Sequence, residues 1–388
     1  MSLKLNSSGG GSVTLQEPVT ASTLTLNLPA TSGTMVLDGG SPTFATVTST
    51  ALTVNGNNIS AVNSMGFRNR IINGDMRIDQ RNAGASVSIS GVVNTYTLDR
   101  WVIRNDADGV VSVQQSSTAP TGFNNSLLYT VTTADASLGA TQNYSVQQRV
   151  EGFNMADFGW GTASAQTVTL SFWVRSSLTG TFGGSISNSA ANRSYPFTYT
   201  ISAANTWEQK TVTIAGDTTG TWLTTNGVGA YIYLSTGAGS TISGTAGAWA
   251  ASDFRSATGA TSVVSTNGAT FYITGVQLEA GTVATPFERR PIGTELSLCQ
   301  RYYEGISSLQ YRAIAAASYA GSQNFSFLNE KRAAPTITIF GLGGTTGSYD
   351  RDGVGNTAVT STSYTHGFRL NLSAGQSGGF GMTASAEL

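Results

Sequence analysis

Apolar side chains along this chain alternate with polar ones, and the alternation breaks at clusters of Gly, Asn, Asp and Pro. A period of two predicts short β-strands with one buried face. In VTLSFWVRSS (168–177), Val168, Leu170, Phe172 and Val174 fall on one side, and Thr169, Ser171 and Trp173 on the other. LDRWVIRND (98–106) sets Trp101 and Ile103 against Arg100 and Val102. Further strands are predicted at Lys210–Ile214, in GVGAYIYLSTG (227–237) and in FYITGVQLE (271–279). In the last, Tyr272, Thr274, Val276 and Leu278 share one side, with Phe271, Ile273 and Gln277 on the other. Asn73-Gly74-Asp75 reads as a tight turn. All six tryptophans lie within 66–291, so this region is expected to hold the main core. Strands at short spacing with Gly-rich turns predict a jelly-roll β-sandwich there.

The flanks differ from this body. Residues 1–65 carry three charges, Lys4, Glu17 and Asp38, and no Trp, Tyr or Arg. SVTLQEP, STLTLNLP and GTMVLDGG alternate at period two, which predicts short strands in 1–40; these have too little area to bury within one chain. Thr-Val and Leu-Thr-Val units recur in 41–65. After the body, Pro286 and Pro291 interrupt the chain, with Phe287 expected to tuck onto the sheet and Thr294 expected to cap a short helix. Leu296, Cys299 and Tyr303 fall at helical spacing on that helix. Residues 292–388 contain no Trp and read as a small β domain, with Pro335 at a strand start or edge. The chain as a whole is expected to be all-β.

Composition narrows the chemistry. Only 11% of residues are charged, against an apolar fraction of 39% and 46 glycines. A surface of Ser, Thr and Asn suits extracellular or virion proteins. A net charge of -1 gives no basic footprint for nucleic acid. Met1 opens a polar, Gly-rich run without an apolar core, so no signal peptide is expected, and no apolar span approaches the ~20 residues of a membrane helix. Cys299 is the one cysteine, which excludes an intrachain disulfide and a cysteine zinc site, and a buried, inert thiol is expected.

His366 is the one histidine, so a nucleophilic triad or a histidine metal cluster has little to draw on. The spaced acids Asp106 with Asp108, and Asp350 with Asp352, sit beside glycines and read as turn residues rather than a glycosidase pair. No enzymatic activity, cofactor or metal is expected.

Two runs carry a resemblance. QLEAG-x-x-ATPFE-x-R (277–290) followed by EL-x-x-CQRYYE (295–304) resembles the seam found in tail-fibre and minor structural proteins of tailed bacteriophages. TLTLNLPATSGTMVL (23–37) resembles N-terminal pieces of phage fibres that dock on the virion, 41–60 resembles intertwined three-chain shafts, and FSFLNEKRAAPTITIFG resembles the F-x-x-x-KR-x-x-PT-I segment after the seam. Landmarks across 66–291, namely NG-D, D-R-W, SFWV-R and W-x-x-x-x-V-T-I, resemble jelly-roll carbohydrate-binding modules. Where calcium-bearing modules place acidic residues, this chain has Met76-Arg77 and Thr274-Gly275, so that calcium is not expected.

These resemblances imply a homotrimeric virion tail fibre. Residues 1–40 would attach to other tail proteins, 41–65 would form a shaft or linker, 66–291 the jelly roll and 292–388 the C-terminal β domain. Its work would be adhesion to a host cell-surface glycan without covalent chemistry, nucleic acid or membrane insertion. The alternatives are a structural tail or capsid-decoration protein and a polysaccharide-degrading tailspike. Sugars are gripped by aromatic faces and by amide and carboxylate hydrogen bonds. The candidate contacts are Trp249, in the polar loop 235–265, Trp222, at the GDTTGTW turn, and Tyr349, Asp350, Arg351 and Asp352 in the Gly-rich 341–358 segment. Trp101, Trp173 and Trp207 read as scaffold.

Overall fold

A computed structural model describes residues 2–6, 12–16, 52–54, 57–59, 67–106, 108–312, 321–341, 348–351, 355–358, 360–372 and 377–388. The chain forms two units, 1–61 and 62–388. In the first, β1 (Ser2–Asn6) pairs antiparallel with β2 (Ser12–Gln16), matching Leu3 with Leu15 and Leu5 with Val13. A second hairpin joins β3 (Leu52–Val54) to β4 (Asn57–Ile59), with the turn-favouring Asn55-Gly56 between them in the sequence. The runs expected to form strands at 22–40 lie outside the described residues.

The second unit opens with a sandwich. Its strands are β5 (Val87–Ile89), β6 (Val93–Tyr96), β7 (Trp101–Asn105), β8 (Val110–Ser116), β9 (Ser126–Thr133) and β10 (Asn143–Glu151). They continue with β11 (Val168–Ser176), β12 (Gly180–Ser187), β13 (Ser194–Ile201), β14 (Glu208–Ile214) and β15 (Val228–Ala238). Two-residue strands β16 (Ser243–Gly244) and β17 (Ser256–Ala257) precede β18 (Thr270–Ala280). Two six-stranded sheets result, one ordered β13-β12-β15-β10-β7-β6 and the other β14-β11-β18-β9-β8-β5. We refer to them as the first and second sheet. Neighbours in both are antiparallel, and the chain passes repeatedly between sheets, giving the expected jelly-roll sandwich.

Period two explains which residues fill the space between the sheets. Val168, Leu170, Phe172 and Val174 are all fully buried in one core with Trp101 and Ile103, as the alternation predicts. Phe172 meets Tyr199 edge-on at 5.0 Å, and Phe182 stacks on Tyr199 at 5.8 Å. The expected facing of β18 needs correction. Phe271 and Ile273 point into the core, but so do Val276, Leu278 and Ala280. The register against β11 shifts here: Gln277 opposes Ser171 and Thr274 opposes Trp173, so two residues oppose one. Gly275, at φ +61°, supplies the left-handed position that such a bulge requires. The extra residue swaps the faces, and Tyr272 and Thr274 therefore point away from Val276 and Leu278.

The segment after β18 staples the sandwich shut. Glu288 accepts the backbone N–H groups of Phe67, Arg68 and Asn69, while its own N–H donates to the Gln277 side chain at 2.7 Å. Glu279 accepts from the Thr285 N–H and hydroxyl at 2.8 and 2.6 Å. The Arg290 guanidinium donates to the carbonyls of Asn69 and Ile71 and lies 3.4 Å from both Glu288 and Glu295. Phe287 packs edge-on against Phe123 at 5.3 Å. Asn73 turns at φ +57°, and at Gly74 a Cβ would stand 2.2 Å from the Val276 carbonyl, so this turn must present glycine to the sheet.

Helix α1 (Ile292–Gln300) follows, with Pro291 as its N-cap and no side-chain capping bond. Thr294 is thus inside the helix rather than its cap. Glu295 of the first turn accepts the Asn73 N–H at 2.5 Å instead. Cys299 is fully buried with Ile72, Ile78 and Tyr302, and burial holds its thiol well above the usual range. Tyr303 begins the next strand rather than extending the helix.

The C-terminal strands are β19 (Tyr303–Arg312), β20 (Gly321–Ser326), β21 (Thr336–Gly341), β22 (Ser348–Arg351), β23 (Gly355–Ala358), β24 (Thr360–Tyr364), β25 (Gly367–Leu372) and β26 (Ser377–Ser385). β26 pairs with β19, β21 and β22, and β22 with β23, while β20, β25 and β24 form a three-stranded sheet. Pro335 immediately precedes β21, where its missing N–H interrupts no ladder. Phe327, Ile339, Phe368, Leu370, Phe380 and Met382 make the local core. Lys331 and Glu304 are both fully buried and paired at 2.6 Å, and Lys331 also donates to the Gln300 carbonyl.

Two predictions follow from this packing. Arg290→Ala leaves buried carboxylates unpaired and is expected to lower unfolding free energy by about 3–5 kcal/mol in denaturant titration; an unchanged midpoint would show that the staple is dispensable. Asp99, buried and accepting two bonds from Gln80, has its carboxyl pushed up to about 6 by burial, the Gln80 bonds working against this. Its folded value lies above the unfolded 3.8, so the folded state holds the extra proton and this contribution is lost as pH rises from 4 to 6. The stability of Asp99→Asn relative to the parent should therefore improve by about 2 kcal/mol across that window, and a flat difference curve would exclude it.

Candidate functional site

The tryptophans chosen from the sequence come together at one edge of the sandwich. Trp222 and Trp249 meet at 5.4 Å with interplanar angle 79°, and both meet Trp160, at 4.7 and 5.4 Å, nearly perpendicular. Each indole N–H is satisfied: Trp160 by the Gln166 carbonyl, Trp222 by Asp217 and Trp249 by the Ala215 carbonyl. Asp217 is gripped by two bonds from Arg193 at 2.8 and 2.6 Å. Burial raises its carboxyl, but the Arg193 and Thr219 bonds outweigh this and hold it below the usual range. Trp222 is 7% exposed and closes the core; Trp249 is half-buried beside Tyr195.

Tyr349, Asp350 and Arg351 lie on β22, opposite Thr357, Asn356 and Gly355 of β23, and their side chains, like the whole of Asp352, lie outside the described residues. The remaining acids separate. Asp106 is buried, accepts the Asn143 N–H at 2.7 Å and pairs with Arg104, whereas Asp108 is exposed. His366 sits exposed in the turn between β24 and β25, stacked on Tyr364.

A different group of residues forms the more complete polar arrangement. On the first sheet, Ile232 and Leu234 of β15 point into the core, so Tyr231 and Tyr233 point outward and stack at 5.8 Å with interplanar angle 21°. On neighbouring β10, Val146 and Val150 point inward, leaving Asn143, Ser145, Gln147 and Arg149 on the outer side. Gln147 donates to the Ser145 hydroxyl at 2.8 Å, and Ser145 to the Asn143 carbonyl oxygen at 3.2 Å, forming a ladder along the strand. The Asn143 side-chain nitrogen, Nδ2, is buried and makes no hydrogen bond. The Arg149 guanidinium lies 5.6 Å from the Tyr231 ring and Arg255 lies 5.9 Å from the Tyr233 ring. Burial pushes the Tyr233 phenol up to about 12, keeping it a neutral donor.

Asn143, Ser145, Gln147 and Tyr233 are buried, so the open part of this face is the half-buried Tyr231 ring with the Arg149 guanidinium, an aromatic surface beside a donor that can grip a polyhydroxylated ring. Its carboxylates are engaged: Asp106 by Arg104, Asp253 by Arg255 at 2.6 Å, and Glu151 by Arg301 at 3.0 and 2.7 Å. The sequence reading placed Tyr231 and Tyr233 on a strand but not in a site. The available signal was the aromatic pair at i, i+2 opposite an Ile/Leu pair. Among the described residues no group of three metal-ligating side chains converges, and no helix is long and apolar enough to cross a membrane.

The different roles of the two aromatic groups are testable. Trp222→Ala removes a core-closing ring and is expected to cost about 3–5 kcal/mol, whereas Tyr231→Ala, on the outer face, should stay within about 1 kcal/mol of the parent. Guanidinium denaturation of both variants checks the contrast, and equal losses would abolish it.

No family model matches the chain, and no curated protein matches it in sequence. Solved structures are similar to about half of the chain, at low TM-scores. The enzymatically active domain of tailspike protein 4 from bacteriophage CBA120 is 13% identical, over 55% of this chain and 22% of the tailspike chain, with a TM-score of 0.28. The match therefore spans less than a quarter of that protein. The family 11 carbohydrate-binding module of a Clostridium thermocellum cellulosomal cellulase is 12% identical over 50% of this chain and 99% of its own, at TM-score 0.25. The N-terminal cellulose-binding domain of Cellulomonas fimi β-1,4-glucanase C is 15% identical over 50% of this chain and 100% of its own, at TM-score 0.23.

Proposed function

We propose that this chain is a bacteriophage tail fibre or related receptor-binding protein that attaches the virion to a host cell-surface glycan without covalent chemistry. The observation that carries the glycan reading is the outer face of the first sheet. There the stacked Tyr231 and Tyr233 lie beside the Asn143–Ser145–Gln147 ladder and Arg149. The half-buried Tyr231 offers its ring to sugar C–H groups and Arg149 its guanidinium to hydroxyls, while the buried ladder and Tyr233 support them. The virion reading is supported by the seam, whose Gln277, Glu279, Thr285, Glu288 and Arg290 all take part in one buried network. Three chains joined through residues 1–65 would present three such faces, raising a weak single-site affinity by multivalency.

The test is binding of the full chain to host cells and to an array of bacterial surface polysaccharides, with reducing-sugar release followed in parallel. Saturable binding that competes with phage adsorption, without sugar release, is expected. Tyr231→Ala should weaken it about tenfold, equivalent to about 1.4 kcal/mol. A folded chain that binds neither cells nor polysaccharide would leave a structural tail or decoration role, and released sugar would point to a tailspike.

A further inference from the structure

The second sheet carries an aromatic surface of its own. Bulging at Gly275 turns Tyr272 and Thr274 outward, beside Trp173 and Arg175 of β11. One cross-strand row runs Arg175, Tyr272, Leu128 and Gln114 over four strands. Trp207 meets Tyr272 edge-on at 6.0 Å. A Cβ at position 275 would stand 2.7 Å from the Phe123 ring and 3.2 Å from Trp173, so glycine leaves room for both rings over the backbone. Phe123 in turn contacts Phe287. All five rings are half-buried. Trp173 and Trp207, read from the sequence as scaffold, thus stand partly open to solvent.

Two arginines accompany this row. Arg175 lies 4.8 Å from the Tyr272 ring centre and donates through Nε to the Asn205 carbonyl. Arg289 lies 4.7 Å from Phe123 and donates to the Gly122 carbonyl. Among the described residues neither forms an ion pair. The one carboxylate at an outward position of this sheet, Glu279, is fully buried and bound to Thr285 and Arg68. Glu208, next to Trp207, is held by Lys210 and by the N–H groups of Ser202 and Ala203. Both guanidinium groups are therefore oriented by rings and carbonyls, with their charge left uncompensated.

We infer that this outer face of the second sheet is a second binding surface, for an anionic polysaccharide whose sugar rings lie on the aromatic row and whose carboxylate, phosphate or sulfate groups meet Arg175 and Arg289. Charge complementarity selects this occupant over a neutral glycan. Half-buried Thr130 of β9 and Gln114 of β8, farther along the sheet, suit hydroxyl groups better than the dry packing of a protein partner. The surface lies on the sheet opposite Tyr231, so it stands or falls separately from the first site.

Calorimetric titration of the full chain with polygalacturonate, polysialic acid, dextran sulfate and neutral dextran, together with methyl-esterified polygalacturonate, tests this. At least one anionic polymer should bind ten times or more tightly than dextran, and added salt should weaken it. Arg175→Gln with Arg289→Gln should remove that preference while the melting temperature holds, and Tyr231→Ala should leave it intact. Equal binding of esterified and free polygalacturonate, where the latter binds, no binding of any anionic polymer, or an unaffected double variant would overturn the proposal. So would self-association of the parent chain that the double variant abolishes, which would assign the face to a second copy.

Discussion

A buried carboxylate must find donors or lose its charge, and this requirement organises the second unit. Glu288 gathers three backbone N–H groups from 67–69, and Arg290 spans from the carbonyls of Asn69 and Ile71 to Glu295 at the start of α1. Neither ion tolerates the low-dielectric interior alone. Together they tie the first residues of the sandwich to its last strand and to the helix that follows. The ends so joined are more than two hundred residues apart, and these contacts offset part of the entropy of closing that loop.

With the sandwich closed, alternation gives each sheet an outer face that the core does not use, and the two faces are chemically unlike. On the first, side-chain amides and hydroxyls bond to one another along β10 beside stacked tyrosines. On the second, indole and phenyl rings share a surface with two unpaired arginines. The difference follows from the bulge as much as from composition. Without the extra residue at Gly275, the outward side of β18 would run Tyr272, Thr274, Val276, Leu278 and Ala280, and the core would lose three of its members.

The C-terminal strands are anchored to the sandwich by further buried ions. Arg100, at φ +70°, lies 3.6 Å from the Tyr302 ring and pairs with Glu387. Glu151 receives Arg301 and the Tyr302 hydroxyl. Arg149 and Tyr96 both donate to the Leu388 carbonyl, which places the end of the described chain at the margin of the tyrosine face. Tyr231 on the first sheet is thereby bounded on one side by the C-terminal residues.

Several elements were legible in the sequence because strand periodicity is local. Val168, Leu170, Phe172 and Val174 announce their core face without reference to anything distant, and Pro335 announces a strand start. The helix after Pro291 was equally visible, although its cap was not: Thr294 has the right chemistry, but the helix starts at Pro291 without a side-chain cap, and Glu295 is used to accept the distant Asn73 N–H. Facing along β18 could not be read, since a bulge depends on the partner strand. Nor could the sites. Trp222 and Trp249 stand out by composition, yet Asp217, Ala215 and Trp160 draw them together at the edge of the core. Tyr231, Trp173 and Tyr272 face outward because their strand neighbours face in. Whether an outward aromatic is covered or open depends on which loops and strands the fold brings over it. Alternation along the chain determined the strands and most of their inner faces, because it acts between nearest neighbours; the tertiary structure decided which outer faces stay open and which ions pair across them, because those contacts join residues distant in sequence.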